Sequence, residues 1–71
     1  MANARALMRV RGMDTEQSRD QVITTLQAVA GVVSVTGGDA EQVSVEYDPT
    51  EVTVMDLIRA LRRIGFLAGM E

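Results

Sequence analysis

The residues best equipped for chemistry lie in one short stretch, Gly12-Met13-Asp14-Thr15-Glu16-Gln17-Ser18, with Asp20 just beyond it. Asp14, Glu16 and Asp20 place three carboxylates close together, and oxygen donors of this kind suit hard cations. Their spacing fits no calcium loop, however, and nothing in it forces Glu16 and Asp20 to converge. Acids in the first turn of a helix also complement its positive end, a solvated role that accounts for them without any ligand. Thr15 and Ser18 stand three apart. Their hydroxyls stay protonated at neutral pH and are weak donors, whereas a soft cation such as Cu(I) prefers thiolates. Ser and Thr are also leading N-cap residues, so helix capping is the simpler expectation for both.

Elsewhere the chain offers little reactive chemistry. It contains no cysteine and no histidine, which removes disulfides, zinc–thiolate clusters, thiol catalysis and the commonest metal ligand. Five methionines could suggest a thioether site, but Met8, Met13 and Met55 fall in or near expected core positions and Met1 and Met70 at the ends, so core filling is expected. No nucleophile–base pair, phosphate-cradling loop or paired catalytic carboxylates stand out, and no enzymatic activity is expected.

The elements that position the stretch are legible from periodicity. Ala6, Met8 and Val10 alternate with Leu7, Arg9 and Arg11, and Val43, Val45 and Tyr47 alternate with Ser44 and Glu46. Each pattern describes a strand with one core face and one face toward water. A further strand is expected at Val32-Val33-Ser34-Val35-Thr36, leading into a Gly37-Gly38-Asp39-Ala40-Glu41 turn. Val22, Leu26 and Val29 form a helical stripe, as do Leu57, Leu61 and Ile64. The first helix can begin at Thr15 or Ser18. The second follows Thr53, with Thr53-Val54-Met55-Asp56 reading as a capping box. Gly31 and Gly65 are expected to close the two helices in the left-handed conformation.

The chain also compares with itself at a shift of 35 residues: Met8 and Val10 fall on Val43 and Val45, and Val22, Ile23 and Leu26 on Leu57, Ile58 and Leu61. The order is therefore β-α-β-β-α-β over a single domain, residues 1–71, of class α+β. This is a ferredoxin-like open-faced sandwich, a four-stranded antiparallel sheet with two helices on one face.

In that order, Gly12-Met13, Gly31-Val32-Val33-Ser34-Val35, Val45-Glu46-Tyr47-Asp48-Pro49, Asp56-Leu57-Ile58-Ala60-Leu61 and Gly65-Phe66 resemble the heavy-metal-associated (HMA) domains of copper chaperones and metal-transporting P-type ATPases. The similarity runs from about Ala6 to Ala68. It implies two metal-ligand cysteines at the positions held here by Thr15 and Ser18. It implies Met13 as a buried anchor beneath the loop and Phe66 as a ring packed near it. Phenylalanine there is more like the ATPase-attached domains than the free chaperones.

A metal ion is thus implied by the resemblance alone. The residues present lead us to expect no metal ligands and no cofactor. The expected role is a cysteine-less binding module acting by protein contact, with Met13, Asp14, Thr15, Glu16, Gln17, Ser18 and Phe66 as its interaction loop and a basic patch on its partner. Weak non-thiolate metal binding and self-association through the open sheet face are alternatives. That face carries Leu7, Arg9, Arg11, Ser44 and Glu46, a mixture better suited to solvent than to a dimer core, so a monomer is favoured. A net charge of −3 disfavours nucleic acid. Arg59, Arg62 and Arg63 belong to the last turns of a helix, where cations complement the dipole. No apolar run nears the roughly 20 residues of a membrane span, and the first residues lack a hydrophobic signal region, so the cytoplasm is the expected location.

Overall fold

Alternating exposure runs the length of the first strand, β1 (Ala4–Arg11), with Ala6, Met8 and Val10 turned inward. The computed structural model, which describes residues 3–37 and 41–70, continues with α1 (Glu16–Gln27), β2 (Val32–Gly37), β3 (Gln42–Tyr47), α2 (Val54–Arg63) and β4 (Leu67–Met70). The strands form one antiparallel sheet in the order β2-β3-β1-β4. β1 and β2 run parallel with β3 inserted between them, which is the split βαβ arrangement. The fold class is therefore the α+β, ferredoxin-like one that the element order implies.

The 35-residue repeat has a direct structural expression. One pair that aligns in sequence also meets across the two central strands, with Met8 opposite Val43. Rotating one half onto the other exchanges β1 with β3 and β2 with β4, and this reverses the strand order without changing it. Both halves consequently feed one core, in which Met8, Val10, Val43 and Val45 from the sheet meet Val22 and Leu26 of α1 and Leu57 and Leu61 of α2, all fully buried. No polar or charged residue among those described is buried.

Several expectations need correction. Met55 is not a core residue; it is 55% exposed. At 3.6 residues per turn it points away from the inward stripe of Val54, Leu57, Ile58 and Leu61. Ile64 is the C-cap of α2 and lies at the edge of that stripe, 36% exposed. Gly31 does not cap α1, which ends earlier at its C-cap Ala28. Instead Val29 to Val32 make a tight turn closed by a hydrogen bond from the Val32 N–H to the Val29 carbonyl, 3.2 Å. Gly31 fills the third position, where φ is +94°, as a type II turn requires. A side chain there is doubly excluded, because a Cβ would lie 2.9 Å from the Cβ of Glu51 and from Val52 Cγ1.

Of the expected turn, Gly37 belongs to β2, opposite Val43, the Glu41 carbonyl accepts from the Val10 N–H at 2.7 Å, and Gly38, Asp39 and Ala40 lie outside the described residues. β2 carries a bulge between Val32 and Ser34 that leaves Val33 57% exposed, a device that twists an edge strand away from further pairing.

Candidate functional site

The loop joining β1 to α1 is held from below by two buried side chains. Met13 is fully buried, so the chain after β1 is pinned to the core before it rises to the helix. Phe66, 8% exposed, arrives from the other half of the repeat through the end of α2. There the Phe66 N–H donates to the Leu61 carbonyl at 3.0 Å, and the Gly65 N–H donates to the Arg62 carbonyl at 3.1 Å. Gly65 has φ +95°. These two bonds and the left-handed glycine make a Schellman motif, in which the residue after the glycine folds back onto the last turn. The motif swings the ring beneath Gly12, where a Cβ would lie 3.5 Å from Phe66 Cδ1.

Above this support Asp14, Thr15, Glu16 and Gln17 are exposed and Ser18 partly so. Thr15 alone is the N-cap of α1, with an extended backbone (φ −118°, ψ 160°). Its Oγ1 accepts a hydrogen bond from the Ser18 N–H at 3.0 Å and donates one to Ser18 Oγ at 2.8 Å. Ser18 is the third residue inside the helix rather than a second cap. The two hydroxyls are joined to each other and to the backbone, and they are neutral. They do not match the needs of a soft metal cargo, which wants two anionic sulfur donors.

The acids do not replace them. Among the described residues no three carboxylates come together as a metal site. Asp14, Glu16 and Asp20 line a shallow concavity with Met13, Thr15 and Arg19. Arg19 is the residue that sequence reasoning passed over. It sits three residues after Glu16, a spacing that brings side chains together on a helix, and its stem lies over the end of β2, where a Cβ on Gly37 would be 3.6 Å from Arg19 Cδ. The loop end is therefore acidic with one embedded cation. Of the seven expected loop residues, the fold presents Asp14, Thr15, Glu16, Gln17 and part of Ser18, and uses Met13 and Phe66 as the floor.

Two carboxyls away from the loop are held below the ordinary aspartate value. Asp56 is lowered by the Thr53 backbone N–H and then the Thr53 hydroxyl, both donating to Oδ2 at 3.0 Å. Asp48 is lowered by the Thr50 hydroxyl and then its N–H, at 2.6 and 2.9 Å. Both pairs shape backbone turns.

No helix among the described residues is long and apolar enough to cross a membrane. Known structures with this arrangement are numerous. Oxidized MerP from Ralstonia metallidurans CH34 superposes with a TM-score of 0.93 over 99% of each chain, at 22% identity, a likeness of fold alone. The N-terminal domain of a potential copper-translocating P-type ATPase from Bacillus subtilis, solved in the Cu(I)-loaded state, gives 0.88 at 28% identity over 99% of this chain and 88% of that one. The CopZ metallochaperone gives 0.86 at 27% identity over 93% of this chain and 100% of that one. No curated protein matches the chain in sequence. The family model of the heavy-metal-associated domain, however, matches residues 7–66, spanning most of β1, the loop, both helices, β2, β3 and Phe66. With the fold, the buried Met13 and Phe66 and that match in agreement, the chain belongs to the heavy-metal-associated domain family.

Proposed function

We propose that this chain is a binding module of the HMA family that works through protein contact at the end where its relatives hold metal, and that it has no catalytic role. The observation that carries the reading is the closed hydrogen-bond pair of Thr15 and Ser18, with Oγ1 to Oγ at 2.8 Å and the Ser18 N–H on Thr15 Oγ1 at 3.0 Å. The oxygens that stand where thiolates would be are engaged in holding the helix start. What remains available to a partner is an exposed, mainly acidic surface on a rigid floor, and such a surface favours a basic patch. Association through it should slow as ionic strength rises, because the steering is electrostatic.

Titration with Cu(I) and with Zn(II), following the backbone amide signals of residues 12–20, tests the reading. The expected result is no shift in that loop at millimolar metal for this sequence. The paired variant Thr15→Cys with Ser18→Cys is expected to gain Cu(I) binding on the same scaffold, since only the donor atoms are missing. Saturable shifts in the unaltered loop would instead assign it to metal carriage through oxygen ligands.

A further inference from the structure

The two edges of the sheet are guarded unequally. β2 carries the bulge between Val32 and Ser34, whereas the opposite edge is β4, with β1 alone beside it among the described residues. β4 reads Leu67-Ala68-Gly69-Met70, without charge or proline. Its register against β1 runs from Arg11↔Leu67 to Met8↔Met70 without a shift. Charges, prolines and bulges are the usual devices that stop an edge from pairing again, and β4 has none of them.

The backbone fixes which groups of β4 face outward. The Val10 N–H donates to the Glu41 carbonyl, so Val10 turns its polar groups toward β3. Successive residues of a strand bond to opposite sides in alternation. Arg9 and Arg11 therefore bond toward β4, to Gly69 and Leu67. Ala68, opposite Val10, points its N–H and carbonyl away from β1, to the open edge. On the sheet face away from the helices, a knob and a hole flank it. Leu67 is 59% exposed, while a Cβ on Gly69 would meet nothing within 4 Å. A notch lies there, walled by Leu67 and by Arg9 and Arg11 of the neighbouring strand.

We propose that β4 is a self-pairing edge: two copies of this chain join β4 to β4, antiparallel about a two-fold axis at Ala68, so that two four-stranded sheets become one. In that register the two Ala68 residues exchange their N–H···O bonds, and Leu67 of each copy lies opposite Gly69 of the other. Those flanking pairs are non-hydrogen-bonded ones, in which opposed Cα atoms approach to about 4.5 Å. Each Leu67 thus seats in the notch over the other copy's Gly69. Shifting the register by two residues opposes Gly69 to Gly69 or Leu67 to Leu67, and the knob loses its hole.

The charges permit this pairing. The two β1 strands would stand three strand spacings apart, about 14 Å, beyond the screening length of about 8–10 Å. Nothing is asked of the Arg9 and Arg11 charges. A polar open face opposes stacking of sheet on sheet, not pairing along an edge. A second copy is the fitting occupant because its β4 brings knob and hole together at the required two-residue spacing. The paired strands are antiparallel, so the two loops before α1 point to opposite ends, and the contact does not rest on how the loop is used.

Sedimentation equilibrium of the metal-free protein from micromolar to millimolar concentration tests the proposal, alongside amide spectra over the same range. A reversible monomer–dimer equilibrium is expected, little changed by salt, with concentration-dependent shifts at amides 67–69 and none at 14–20. Gly69 does not have a positive φ, so Gly69→Leu fits the single chain but fills the notch. It should weaken the dimer about tenfold or more through overpacking. Leu67→Ser, which removes the knob, should weaken it too. Leu67→Gly combined with Gly69→Leu exchanges knob and hole in the same register and should recover association. Circular dichroism matching the parent confirms that each variant folds. The proposal is overturned by a monomer throughout, by a dimer indifferent to Gly69→Leu and Leu67→Ser, by a folded exchange variant that stays monomeric, or by concentration-dependent shifts confined to the loop or the helices.

Discussion

At the scale of single residues, the loop separates two roles that Ser and Thr share. Both Thr15 and Ser18 are of N-cap type and lie one helical turn apart, so the sequence marks where α1 begins without saying which of them caps it. The backbone decides: Thr15 is extended and Ser18 is already helical. Thr15→Ala should therefore cost about 0.5–2 kcal/mol of stability, the usual loss of a Ser or Thr cap. Ser18→Ala should fall within about 0.5 kcal/mol of the parent, because its hydroxyl only receives the proton of Thr15. Urea denaturation of the two variants checks this, and equal losses would mean that the cap is shared. Met13 and Phe66 were legible as loop residues from the family resemblance. The placing of Phe66 beneath Gly12 depends on a Schellman turn in the other half of the repeat, which no local reading contains.

At the scale of elements, the ends of α2 are the best-determined part of the chain. Thr53 and Asp56 make a full capping box, each side chain bonded to the other's backbone, as their spacing predicts. The hydrogen bonds hold Asp56 below its ordinary value of 3.8. A carboxyl whose folded pKa is depressed contributes stability that is present above its unfolded value and lost as pH falls through the folded one. Acid should thus weaken the fold below about pH 4, through Asp56 and, for the same reason, Asp48. Asp56→Asn should flatten part of that acid loss, measured as the change in urea midpoint between neutral pH and about pH 3. An unchanged slope would remove Asp56 from the account. Gly31 is the opposite case. Its glycine was legible as a helix stop, yet the structure uses it in the next turn, against Glu51 and Val52. Gly31→Ala should cost at least about 1–3 kcal/mol from backbone strain alone, before any shift of Val52, and thermal unfolding would record it.

At the scale of the whole molecule, the two halves of the repeat share one core, so neither has an apolar layer that closes without the other. Met8 sits on a central strand against its repeat counterpart Val43, fully buried. Met8→Ala should cost about 2–5 kcal/mol. That is a large share of the stability of a chain this short, given roughly 0.05–0.15 kcal/mol per residue. Chemical denaturation should show the loss as a single cooperative transition, since sheet and helices depend on the same contacts. The exposed surface divides in the same manner: acids gather at the start of α1, while β1 turns three arginines to the open face.

Residue types and their periodicity carry the element order, the inward faces of β1, β3 and the two helices, the capping box, and the absence of thiolates at the positions of Thr15 and Ser18. These follow from local periodicity and side-chain chemistry, which act over one or two turns. The folded chain adds which hydroxyl caps α1, that Gly31 must yield space to Val52, and that Arg9, Arg11 and Leu67 share a notch. Each of these depends on residues far apart in the chain, or on a backbone angle that several sequences satisfy. The loop shows the division most plainly: the sequence states that its donors are alcohols, and the fold states that those alcohols are already bonded to each other.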